Sequence, residues 1–249
     1  MNLEDLAWPA VGSLSKDTPV VLPVAALEQH GHHLPVFTDS LLLGEIVRRV
    51  AERYRETVLF APLMWLGNSH HHLEFCGTLS AEPRVFLDML NGLAENLLQH
   101  GFKRILFLNG HGGNEVPARQ AIFELRQRHR HRDDVLFLSA TYWSLGGKPV
   151  EGFAQREMGH ACEWETSMML RLAPDLVGNF SGAPPVDFGN PFSPAARGWI
   201  TRERTEPGHI GSPHLAMAEK GERLFSRFAS DVGGLLDRVI AWNGRSWNG

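Results

Sequence analysis

The sequence predicts an α/β fold in which a mostly parallel sheet is covered by helices on both faces. Two observations carry this expectation. Short apolar, β-branched runs of the kind buried on both sides recur along the chain, and segments with helical periodicity alternate with them. A third observation, polar clusters placed directly after those runs, marks where a ligand would collect, at the carboxyl edge of the strands.

Residues 20–26 are the first such run, and residues 41–54 follow with apolar positions at 42, 43, 46, 47 and 50, a helical spacing. Residues 57–63 read as a second strand. Ser80 is placed to cap a helix running to about residue 100, with Glu82 and Pro83 in its first turn and Gly101 as a left-handed stop. Residues 104–109 form a third strand that ends in Gly110-His111-Gly112-Gly113, and Asn114 is placed to cap a helix over 115–128. A fourth strand is expected over 135–141 and a helix over 162–171. A Gly/Pro-rich stretch over 178–211 precedes a final amphipathic helix over 214–242. No internal repeat or low-complexity segment interrupts this order.

The chain has 249 residues, of which 43% are hydrophobic and 21% charged, enough to bury a full-sized core without disulfide staples. One domain over 1–249 is expected. A net charge of −4 lacks the basic footprint of a nucleic-acid binder. The basic run over 126–132, with His129 and His131, falls at a predicted helix end, where cations suit the dipole. The opening residues carry Glu4, Asp5 and Pro9 rather than a basic and then apolar leader. The apolar stretches at 20–27 and 58–66 fall short of the roughly 20 residues a membrane span needs. A cytoplasmic protein without membrane or nucleic-acid partners is expected. Cys76 and Cys162 are too few for a disulfide framework and fit a reducing compartment as inert thiols.

Histidine is the unusual residue: there are 13, several beside carboxylates. Glu28 and His30 stand two apart, which in extended backbone presents both on one side. Asp39, at the close of the following loop, is able to return to the same place and bridge two ions through its two oxygens. A mixed carboxylate and imidazole set suits Zn, Mn or Fe(II) better than Ca or Mg. His111 sits in a glycine turn between strand and helix, and no Gly-Lys-Ser/Thr follows to make a phosphate loop. His160 precedes Glu163 and Glu165, which on a helix lie about 200° apart, so only one faces a shared site while the other is solvated or paired. His70-His71-His72 is a further concentration. Trp65, Trp143 and Trp164 are of a kind more often core than substrate platform, and none is assigned a role.

Leu27-Glu28-Gln29-His30-Gly31 through Leu34-Pro35 to Thr38-Asp39, then Asn109-Gly110-His111-Gly112-Gly113-Asn114, then His160-Ala161 with Glu165-Thr166-Ser167, together resemble the creatininase (creatinine amidohydrolase) family. Phe75 with Gly77-Thr78, and Gly211 and Pro213 before Ala218-Glu219-Lys220-Gly221-Glu222, extend the resemblance from about residue 20 to 225. It implies a single-domain three-layer α/β/α fold, a homo-oligomer, usually a hexamer, and two divalent metals per chain that activate a water against an amide of a small-molecule substrate. By position, Glu28, Asp39 and His111 would hold one metal, and His30 with Asp39 the other. His160 matches the family histidine that moves protons, and His72 aligns with a common family histidine facing substrate or ligands.

Family members that hydrolyse creatinine carry Tyr-Glu where this chain has Gly112-Gly113, and that glutamate is a metal ligand. Gly113 cannot fill the role, and Glu165 is the expected replacement, named with His160 among the catalytic candidates. The missing tyrosine argues against creatinine as substrate. His32, Cys76 and Cys162 stand where proline, proline and glycine are common. The resemblance leaves open a cyclic amide or formamide hydrolase, a ring-opening hydrolase of an inosose, and a peptidase of a modified cofactor precursor. A non-catalytic metal-binding scaffold competes with these. A dinucleotide-binding domain is excluded, because no G-x-G-x-x-G follows the first strand.

Overall fold

The computed structural model describes residues 1–146, 150–245 and 247. Four parallel strands, Val20–Val24 (β1), Leu59–Phe60 (β2), Arg104–Asn109 (β3) and Leu136–Thr141 (β4), form a sheet in the order β2-β1-β3-β4 among these residues. The helices are α1 (Trp8–Ser13), α2 (Thr38–Tyr54), α3 (Pro83–Gln99), α4 (Glu115–Arg128), α5 (Glu163–Leu172), α6 (Thr201–Arg204) and α7 (Ala218–Ala241).

Side chains of the strands alternate between two cores. Val20, Leu22, Val24, Ile105 and Phe107 pack with Phe86 and Leu90 of α3 and with Ala118 and Leu125 of α4. Val21, Leu106 and Leu108 pack with Leu43 and Ile46 of α2, Met168 of α5, and Phe225 and Phe228 of α7. Three layers result, and they explain why β1 and β2 are apolar throughout and β3 apolar between Arg104 and Asn109, whereas the edge strand β4, with Ser139 and Thr141, is only partly covered. Each fully buried Leu or Phe contributes roughly 1.5–3 kcal/mol. No helix is long and apolar enough to cross a membrane among the described residues.

Several boundaries differ from the sequence expectation for local reasons. α2 starts at Thr38 rather than 41, so Asp39 lies in its first turn instead of closing a loop. Glu82, not Ser80, stands at the N-cap of α3, and Asn114 stands at the N-cap of α4 as expected but makes no side-chain capping bond. Ser80 Oγ instead accepts from the Ser69 backbone N–H, 2.8 Å, and meets His70 Nδ1. The Asn114 amide bridges the Ala25 carbonyl and the Asn68 N–H. The last helix begins at Ala218, because Pro213–Leu215 forms a separate 3₁₀ turn. Gly101 is the stop expected of it, at φ +90°, where a Cβ is penalised. α1 was outside the expected elements, being only 6 residues long. The basic run does end α4: Arg128 and His129 are held by Glu95, and Arg132 by Asp134.

Glu222 of α7 ties three helices of one layer together. It accepts two hydrogen bonds from Arg49 of α2, at 2.7 and 3.0 Å, and one from Arg171 of α5, 2.8 Å. The Arg49 hydrogen bonds hold its carboxyl down at about 2, against an ordinary 4.5. A depressed carboxylate stabilises the fold above the unfolded value and loses that contribution as pH falls through the folded one. Because Glu222 is 39% exposed, Glu222→Gln is expected to cost only about 1 kcal/mol at pH 7. The deficit should fade between pH 4.5 and about 2 in urea titrations of both proteins.

Candidate metal centre

Every sequence-predicted ligand arrives at the carboxyl edge of the sheet. Beyond β1 the chain stays extended, and the Glu28 N–H donates to the Val36 carbonyl, 2.9 Å, pinning the following loop back against the strand exit. Glu28 and His30, two apart, both turn inward and are buried. The loop delivers Asp39 in the first turn of α2. His111 follows β3, its backbone braced by Asn109, which accepts from the His111 N–H and donates to the His111 carbonyl.

Asp39 divides its carboxylate between two imidazoles. Oδ1 lies 3.1 Å from His30 Nε2, and Oδ2 lies 3.0 Å from His111 Nδ1. Glu28 Oε1 is 3.3 Å from the same His111 nitrogen, and Glu165 Oε1 is 3.6 Å from His30 Nε2. The far nitrogen of each ring is already committed. His30 Nδ1 meets the Glu28 carbonyl at 3.0 Å, and His111 Nε2 meets the Asn68 carbonyl at 3.0 Å. A ring N–H tied to a backbone carbonyl leaves the other nitrogen's lone pair aimed at the carboxylates, the tautomer that metal-ligating histidine adopts.

The donor set fits a cation. Glu28 Oε2 is buried without a hydrogen-bond partner, and the neighbour of Asp39 Oδ2 is a ring nitrogen, His111 Nδ1 at 3.0 Å. An orphaned buried polar atom costs about 1–3 kcal/mol, more if charged. Glu28, His30 and Asp39 have ligand atoms within 4.8 Å of one another, as do His30, His160 and Glu165. Burial drives the Glu28 carboxyl upward, with the Asp39 charge adding to it. Burial opposes charge on His30 and His111 too, but the facing carboxylates outweigh it and both retain protons well above the ordinary range. Asp39 is held well below its ordinary value, because those two histidines overcome its burial. A cation seated on those ring nitrogens would have to displace these protons and restore the lone pairs.

His160 joins the site through a strained link. It bridges to Ile210 in an antiparallel pair, and the next residue, Ala161, takes φ +46°, a left-handed conformation rare outside glycine, before α5 begins. His160 Nε2 donates to the Gln29 carbonyl, 2.7 Å, so Nδ1 faces Glu28 Oε1 at 3.5 Å without a proton. Burial, aided by His72 and His30, keeps the ring neutral far below its usual range. His72 Nε2 approaches the same Glu28 oxygen at 3.4 Å, and its Nδ1 is held by the Gln29 amide and Thr201. Gln29 was not among the sequence candidates, because alternation turns it away from Glu28 and His30; its amide nevertheless meets both His72 and His160.

The structure separates Glu163 from Glu165. Glu163 is fully buried and paired with Lys220 of α7, and it accepts from the Ala154 and Gln155 N–H groups. Glu165, on the opposite side of the same turn, faces His30. Cys162 is a buried thiol pushed up to about 12 by its burial, and Cys76 is exposed. Trp164 is core, whereas Trp143 lies half-buried along the cavity above the site and Trp65 is 41% exposed.

His71 was missed. A Cβ on Gly113 would stand 2.1 Å from the Asn68 carbonyl, 2.5 Å from His111 Nε2 and 2.9 Å from the His71 ring, so no side chain fits there. His71 occupies that neighbourhood instead, stacked on His111 with ring centres 5.7 Å apart. The histidine run and the bare Gly112-Gly113 pair were the signals that pointed to it. Gly112 and Gly113 both border the cavity.

A model of the creatininase family, creatinine amidohydrolase, matches residues 4–236. The chain belongs to the creatininase family. A Pseudomonas putida creatinine amidohydrolase is 31% identical over 229 residues, 84% of each chain. A Mycobacterium tuberculosis mycofactocin precursor peptide peptidase is 30% identical, covering 94% of this chain and 93% of its own. A solved creatininase superposes with a TM-score of 0.83 at 27% identity, over 97% of this chain and 98% of that one. Similar creatininase structures, at a TM-score of 0.81, are described as a Zn-Zn type and as a Mn form. As a creatininase family member the protein is a hydrolase, and its carboxylate and imidazole cluster is of the kind that holds a divalent metal.

Proposed function

We propose that the protein is a dinuclear metal-dependent hydrolase that cleaves a C–N bond in a small amide, cyclic amide or formamide. The observation that carries this is the division of Asp39, one oxygen toward His30 and the other toward His111, with each ring locked from behind by a backbone carbonyl. Glu28, Asp39 and His111 would hold one ion, and His30, Asp39 and Glu165 the other. Two divalent ions, Zn, Mn or Fe, would lower the pKa of a water to near neutral and polarise the substrate carbonyl. His160, neutral and with Nδ1 open toward Glu28, takes a proton from the attacking water and returns one to the leaving nitrogen. Gln29 orients His160 and His72 together. The catalytic unit spans the whole chain, works in the cytoplasm, and assembles as the homo-oligomer implied by the family; light scattering of the purified protein is expected to give the mass of a hexamer.

Metal per chain, measured by plasma mass spectrometry on untagged protein before and after chelation and refilling, tests this reading. Two ions are expected. One ion would remove Glu165 from the ligand set, and none under any refilling condition would leave only a scaffold. His160→Ala should keep both ions while turnover of an amide substrate falls about 10²–10⁴-fold, the usual contribution of a positioned acid–base group; undiminished turnover would defeat its role. A second reading, a peptidase of a modified peptide, is favoured by a cavity of about 860 Å³ over the site, roomier than one small ring requires.

A further inference from the structure

The cavity over the metal centre runs from Glu28, Asp39 and His111 out to Arg197, Trp199 and Arg204, which the Gly/Pro-rich stretch and α6 supply. Arg204 is fixed in place. Its Nη2 donates to the Phe188 carbonyl, 2.8 Å, and its guanidinium lies over the Trp199 ring at 4.7 Å. Trp199 in turn sets its edge against His71, 5.1 Å between centres, and His71 stacks on His111. One guanidinium-to-ring step of 4.7 Å and two ring-to-ring steps of 5.1 and 5.7 Å thus connect Arg204 to a ligand of the proposed centre.

No carboxylate pairs with Arg197 or Arg204 among the described residues, whereas Arg48, Arg49, Arg128 and Arg132 all have one. Arg204 is also partly desolvated, which lowers its pKa against the weaker pull of Asp187. A half-buried guanidinium that is tied at one nitrogen, stacked on one face and unpaired keeps free donors for a planar oxyanion, its best partner. The carboxylates elsewhere on the cavity wall act in the opposite sense: Glu115, drawn to Arg119 at 3.8 Å, and Glu157 repel an anion. A second cavity of about 320 Å³ shares Arg197, Trp199 and Arg204 without Glu115 or Glu157; the carboxylate on its wall, Glu203, accepts from the Ile200 N–H at 3.3 Å. The arginine wall is therefore where an acidic group would settle.

We propose that Arg204, seconded by Arg197, binds an oxyanion on the substrate. The substrate class is then a small amide carrying a carboxylate or phosphate group several bonds away from the scissile C–N bond. This inference rests on the hydrolytic reading of the metal centre. A packing role alone, Arg204 stacked on Trp199, would predict no preference for acidic ligands.

The test is calorimetric titration of the Mn-loaded full-length protein with monohydroxamates of the dicarboxylic acids from butanedioic to octanedioic, each against its methyl ester. The hydroxamate anchors at the metal centre and the chain length scans the distance to Arg204. At the best length the acid should bind at least about tenfold tighter than its ester, and Arg204→Gln should erase that gain while ester affinity and the far-UV spectrum stay unchanged. Arg197→Gln should erase a smaller part. A phosphonate tail that outperforms the carboxylate identifies phosphate as the group bound, and the reverse identifies a carboxylate. Equal binding of acid and ester at every length, or a gain that survives Arg204→Gln, overturns the subsite and leaves the hydrolytic reading standing. Binding of neither class overturns that reading and the subsite with it.

Discussion

Asp39→Ala is expected to purify with neither ion and to lose at least about 10³-fold in turnover, beyond the 10–100-fold typical of a group that only braces a ligand. The reason is geometric. Each proposed ion has three protein ligands, and Asp39 is the one they share, its Oδ1 at 3.1 Å from His30 Nε2 and its Oδ2 at 3.0 Å from His111 Nδ1. Its loss leaves two ligands per ion, and it also removes the negative charge that offsets close approach of two cations. Asp39→Asn sharpens the test, because the amide keeps one acceptor oxygen and replaces the other by a donor that no metal accepts. That variant should hold at most one ion per chain. Two tightly held ions in Asp39→Ala, counted by plasma mass spectrometry, would exclude a bridging role.

Lys220→Met is expected to lower stability by about 3 kcal/mol, the lower end for breaking a buried ion pair. Glu163 is fully buried and the Lys220 side chain only 15% exposed. Without the ammonium the carboxylate keeps only the Ala154 and Gln155 N–H groups. Adding Glu163→Gln should recover part of the loss, since the stranded charge is gone. Urea unfolding of the two single variants and the double variant reads the coupling; strict additivity would show that the pair does not interact. A functional consequence follows from position. Glu163 anchors the first turn of α5, which aims Glu165 at His30, so loosened metal binding at the His30 half should accompany the lost stability.

The strands, their parallel direction and both covering layers were legible because burial on two faces favours apolar runs along a strand, a pattern that survives without knowledge of neighbours; the order of the strands was not. Glu28, His30 and His111 were legible for a related reason: each directly follows a strand, and strand ends share one edge in such folds. Helix starts were less so. Ser80 and Asn114 have the chemistry of caps, yet distant partners, the Ser69 N–H and the Ala25 carbonyl, claim their side chains. Local preference for a cap is worth about 1 kcal/mol, which a tertiary hydrogen bond easily matches.

The sequence by itself determined the fold class, the family resemblance and the residue types of the centre, since periodicity and motif spacing are local properties of the chain. Tertiary structure alone decided the rest. It chose between Glu163 and Glu165 by placing Lys220, 57 residues from Glu163, beside one of them. It brought His71 into the space that Gly113 leaves open, and it set the unpaired Arg204 over the same cavity. Such contacts join residues far apart in sequence, and packing density and charge, rather than spacing, select which of them meet.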